Sequence, residues 1–189
     1  MVPGGVERWV PVVVVSIAAL PLGVLAAITL ARLRVGRGTA VGEARRRSLA
    51  EVGLVAGTLP WVWMVLTPLP APRELRLVPL VDIVELLAGA PVTAFFQIVG
   101  NLLVFAAFGF FAPLRWAIGP AGVAAVAAVA SVIVESLQFA PAIGRVSSVD
   151  DVLLNAAGAG LAAFAGRRVV RPPTASARRA SVNDRSGPI

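Results

Sequence analysis

The side chains best equipped for chemistry lie between Ser131 and Gly160. Glu135 sits inside a long apolar run, with Gln138 three positions on and on roughly the same helical face. A carboxylate among apolar side chains gains proton affinity from burial and loses it to a nearby cation. Glu135 is therefore the candidate general acid or base. Arg145 follows, with a guanidinium suited to bidentate contact with a phosphate, and Arg76 is a second possible partner for Glu135. Asp150 and Asp151 open the next apolar run, where a carboxylate can cap the free N–H groups of a helix start. Asp151 and Asn155 are four apart and share a face, as do Gln97 and Asn101 further upstream. The candidate site is thus Arg76, Asn101, Glu135, Gln138, Arg145, Asp150, Asp151 and Asn155. The acids lack a dedicated ligand spacing, so neither a metal nor another cofactor is expected. Cysteine, histidine and tyrosine are absent, which excludes a thiol nucleophile and histidine relays. There is no nucleophile elbow and no phosphate-cradling glycine loop.

Such residues need elements to position them, and composition says what these are. The chain is 58% hydrophobic and only 14% charged, where an ordinary soluble domain has about 25% charged residues. Its mean hydropathy is +0.86. Several apolar runs approach the roughly 20 residues that a helix needs to cross hydrocarbon. An all-α, polytopic membrane bundle of about five helices follows. The expected spans are Val10 to Ala31, Leu49 to Leu69, Pro91 to Ala112, Ile118 to Ala140 and Val152 to Arg167. The first is too long for a signal-peptide core and has no substantial basic region before it. Pro60 should kink the second. The stretch from Ala71 to Gly89 alternates charge with leucine and is too polar to span, so a short interfacial helix or a surface loop is expected.

All seventeen basic residues are arginine, for a net charge of +7. They flank the apolar runs, which favours membrane topology over nucleic acid as their explanation. Arg32 to Arg47 reads as a basic cytoplasmic loop. With the N-terminus outside, thirteen arginines fall inside and four outside, as the positive-inside rule demands. The orientation expected is N-out and C-in, with the last three helices as antiparallel neighbours. The chain divides into two N-terminal spans with their basic loop (1–70), a helical region (71–169) and a disordered cytoplasmic tail (170–189).

An ordered set of short motifs runs through the second division. It comprises Gly100-Asn101-Leu102-Leu103-Val104-Phe105, Glu135-Ser136-Leu137-Gln138, Arg145, Asp150-Asp151 and Asn155-Ala156-Ala157-Gly158-Ala159. Upstream, Arg76-Leu77-Val78-Pro79-Leu80 looks like a short Asn-Leu-Ile-Pro-Phe-type element. Together these resemble the VanZ-like family over roughly residues 76 to 165. The chain departs from that pattern at Arg76, where a polar amide is more usual, in the late position of Pro113, and at Gly160-Leu161-Ala162-Ala163. The resemblance implies a small integral protein of the bacterial cell membrane, in a family whose founding member is linked to low-level teicoplanin resistance. It also implies functional roles for Asn101, Glu135, Gln138, Arg145, Asp151 and Asn155.

Two kinds of role fit these residues. In the first, polar side chains converge near the outer surface and bind a lipid headgroup or a lipid-linked envelope precursor. In the second, the protein is a membrane-embedded enzyme acting on a lipid-linked or phosphorylated substrate through Glu135. A transporter is a third possibility, weakened by the almost purely apolar inner halves of the last three spans. The structural alternative is that Asn and Gln bridge helices while Glu135 and Arg145 form a buried pair that fixes the fold.

Overall fold

A computed structural model of the chain describes residues 10–68, 74–139 and 146–170. Among these, five helices are long and apolar enough to cross a membrane. The fold is an all-α bundle, and the protein is a multi-pass membrane protein. Arg145 and the tail from residue 171 on lie outside the described residues.

The first span is α1, Val10–Gly36, and the second is α2, Val41–Leu66. The expected basic loop is therefore largely helical. Arg32 and Arg34 complete α1, and Arg45 to Arg47 lie in the first two turns of α2. Arginine is a good helix former, and its long stem lets the charge reach the interface from inside a helix. Only four residues join the two helices. The turn closes through Gly38, whose φ of +88° is easily reached by glycine. Glu51 of α2 accepts from Arg34 Nη2 of α1 and from Arg115 Nε, each at 2.5 Å. Arg34 also donates to Ser48 Oγ at 2.6 Å. A carboxylate near the end of a span is thus held by two cations from two other helices.

The segment after α2 holds the short helix expected over 71–89, and adds a strand that was not expected. It contains strand β1, Glu74–Arg76, followed by a short helix α3, Val81–Gly89. The strand pairs in parallel with β2, Val146–Ser148, in the register Glu74 to Val146. Three residues of strand carry no periodic signal of their own, so only the distant partner reveals them.

The third span is broken. α4, Pro91–Val104, and α5, Ala106–Arg115, are separated at Phe105. The fourth span is α6, Pro120–Phe139, with proline at its first position, where a missing N–H costs nothing. The fifth is α7, Val149–Val170, longer at both ends than the apolar run alone suggests.

α7 is the central helix. It packs most extensively against α5 and α6, whereas α5 and α6 touch each other little. In an up-and-down chain α5 and α7 run in the same direction, so the tightest pairing is not a hairpin. Glycine makes it possible. A Cβ at Gly109 would overlap the Ala159 backbone, and one at Gly166 would overlap the Phe110 carbonyl; one at Gly158 would likewise overlap the Leu102 carbonyl, where α7 crosses α4. Close backbone approach is how helices associate where lipid removes the hydrophobic drive between them. The core around these contacts is correspondingly small: Ala112, Ala127, Ala159 and Ala163 with Val104, Phe105, Val123 and Val134.

Candidate functional site

The short elements between the spans place most of the charged site residues. Leu80 turns the chain into α3 with φ of 67°, unusual for a branched side chain. Asp150 holds that turn. Its carboxylate accepts the Leu80 N–H and, at 3.2 Å, the Ile83 N–H. The expectation is that Asp150 or Asp151 caps α7; Asp150 caps α3 instead, while the α7 start is capped by Ser148 Oγ, which accepts the Asp150 N–H at 3.1 Å. Helix α7 begins directly after strand β2, so Ser148 is already placed for that task and the aspartate is free to reach across.

Ser148 has a second bond. Its hydroxyl donates to Asp82 Oδ2 at 2.5 Å, and both residues are buried. The other Asp82 oxygen accepts from Arg76 Nη1 at 2.8 Å. Arg76 further reaches Glu85 Oε2 at 3.1 Å and Glu74 Oε1 at 3.0 Å. The bond to Asp82, then that to Glu74, hold the Arg76 guanidinium above its ordinary range. It is a permanent cation. Asn101 Nδ2 donates to Asp151 Oδ1, and Gln97 lies beside the same carboxylate.

The hollow beside this network measures about 410 Å³ and is lined by Arg76, Asp82, Glu85, Gln97 and Val146, among others. One cation faces several carboxylate oxygens, and Glu85 is largely exposed. The lining offers more acceptors than donors to anything that enters.

The remaining candidates lie elsewhere. Gln138 Nε2 donates to the Val65 carbonyl of α2 at 2.6 Å. Asn155 Nδ2 donates to Ser131 Oγ of α6 at 2.7 Å, both buried. Ser147 Oγ donates to the Glu135 backbone carbonyl at 3.2 Å, and Glu135 itself is half-buried one turn from Ser131. The first two bonds bridge helices, and the third ties β2 to α6. Arg76, Asp150, Asp151 and Asn101 are thus brought together, Asp150 acting on the backbone, whereas Gln138 and Asn155 face other partners.

Asp82, Glu85, Ser148 and Gln97 belong to the network and were not among the residues expected to form the site. Asp82 and Glu85 are three apart on an amphipathic stretch close behind Arg76, a spacing that places them on one face. Ser148 carries no such signal. Among the described residues, no group of three or more acidic side chains is arranged to hold a metal ion.

The geometry defines a polytopic helical membrane protein with a charged network where two short strands meet the ends of its spans. The family follows from comparison. A model of the VanZ/LLP1 family matches residues 54–170, and the chain belongs to that family. No curated protein and no solved structure matches it.

Proposed function

We propose that this VanZ-family protein resides in the bacterial cell membrane, N-terminus outside, and binds a polar headgroup in the hollow beside Arg76. The headgroup belongs to a lipid or to a lipid-linked envelope precursor. By holding it, the protein alters envelope chemistry and with it glycopeptide susceptibility. One observation carries the reading. Charged and amide side chains from β1, α3 and α4 line a hollow of about 410 Å³, and a buried carboxylate, Asp82, forms part of its wall. A hollow with a few convergent polar groups is where a ligand is expected by default. The orientation is supported by the arginine asymmetry between the two sides.

The test fills the hollow. Gly89 lines it, and a side chain there meets nothing within 4 Å. Protein carrying Gly89→Phe and wild-type protein are purified from the same host, and their co-purifying lipids are identified by mass spectrometry. Glycopeptide susceptibility of the two strains is measured in parallel. The expected result is loss of one polar lipid species from the filled variant. Identical lipid profiles would overturn the proposal.

A further inference from the structure

The α1–α2 hairpin carries a second hollow, far along the chain from the first. It is a groove of about 580 Å³ near the arginine-rich ends of the two helices, lined by Val24, Ile28, Val35, Leu49, Arg32 and Arg45 among others. The hairpin's arginines fall into distinct sets. Arg34 and Arg47 are engaged, with Glu51 and Glu43 respectively. Arg32 and Arg45 are exposed and form no ion pair among the described residues. Arg37 and Arg46 are also unpaired there but lie outside the groove.

The groove's apolar wall is open. Val24, Ile28 and Leu49 are 60%, 44% and 58% exposed, a surface that a membrane helix covers with lipid tails. From position 24 to position 35, α1 rises ~17 Å at 1.5 Å per residue. A hydrocarbon core of about 30 Å gives each leaflet about half that depth. The groove therefore matches one leaflet, with its two unpaired cations at the headgroup end. A net-negative headgroup complements them; a zwitterionic one brings its own ammonium to the same place.

We propose that this groove is a binding site for an anionic phospholipid. Its phosphate lies between Arg32 and Arg45, and an acyl chain runs along Val24, Ile28 and Leu49. The site is independent of the hollow beside Arg76 and of the function proposed for it.

The experiment uses the full chain in detergent with equimolar phosphatidylglycerol and phosphatidylcholine of the same acyl composition, read by native mass spectrometry. Wild-type protein is expected to retain phosphatidylglycerol preferentially. Replacing two arginines near the surface, Arg32→Gln with Arg45→Gln, should weaken that retention roughly 30-fold. The control pair Arg37→Gln with Arg46→Gln removes equal charge outside the groove and should change it less than about threefold, because screened charges act only at short range. Ile28→Trp and, separately, Val24→Trp fill the groove with every charge intact and should also lower retention. Both positions face lipid, and thermal melting confirms that each variant is folded. Equal retention of the two lipids by wild-type protein overturns the proposal. So do equal losses in the two arginine pairs, which mean diffuse surface attraction, or full retention in both tryptophan variants.

Discussion

Asp150→Ala tests whether α3 is held from a helix far along the chain. The buried carboxylate accepts two backbone N–H groups, from Leu80 and Ile83. A hydrogen bond to a charged group contributes about 1.5–3 kcal/mol, and losing a helix N-cap costs about 0.5–2 kcal/mol. Leu80 adds strain, since a non-glycine residue at positive φ costs about 1–3 kcal/mol and persists only while its surroundings hold it. The bonds overlap in what they hold, so the loss is set at about 2 kcal/mol or more. At 1.4 kcal/mol per tenfold, that makes amide exchange in α3 roughly 30-fold faster. Hydrogen–deuterium exchange in nanodiscs reads this directly, comparing the peptide over 74–89 with one from α6. Asp150→Asn keeps one carbonyl acceptor and should fall between wild type and alanine. Exchange over 80–89 unchanged within threefold in the alanine variant would refute the reasoning, because α3 would then be held by something else.

Other outcomes follow from the same geometry. Leu80→Gly removes the positive-φ penalty, and about 1 kcal/mol of stabilisation should appear as a melting temperature raised by a few degrees. Gly158→Ala forces a Cβ into the Leu102 carbonyl and should lower stability by about 1–3 kcal/mol in a detergent melt. Gly36→Ala, with nothing within 4 Å of the new methyl group, should be nearly neutral. The absence of native cysteine makes topology simple to read. In intact cells a membrane-impermeant maleimide should label Gly89→Cys and not Thr39→Cys, and the reverse pattern overturns the N-out orientation.

The spans were legible because a lipid-exposed backbone must satisfy its own hydrogen bonds, so length and hydropathy locate the helices almost unaided. Their ends were not. Hydropathy stops at Arg32 and resumes at Leu49, but the helices continue through the arginines, which project their charge to the interface. Periodicity pairs Asp151 with Asn155 and Gln97 with Asn101, four apart, yet Asp151 meets Asn101 of α4 and Asn155 meets Ser131 of α6. It could not say which helix each face would meet. Asp150 answers to Leu80, and Gln138 to a backbone carbonyl of α2, through contacts 70 and 73 positions apart. Asp82 was visible as one charge in an amphipathic stretch. Its importance lies in being buried against Ser148, which only the strand pairing brings about.

That pairing also orders the protein's assembly. The two strands that close the network come from either side of the third and fourth spans, so β1 emerges from the ribosome long before β2 exists. A nascent chain that has inserted α2 through α6 presents Asp82 without its serine and α3 without its anchor. The charged crown can be completed only when the last span arrives. Premature termination before β2 would therefore leave a membrane-inserted hairpin stack with an unsealed rim, the kind of orphaned polar surface that membrane quality-control proteases are built to find.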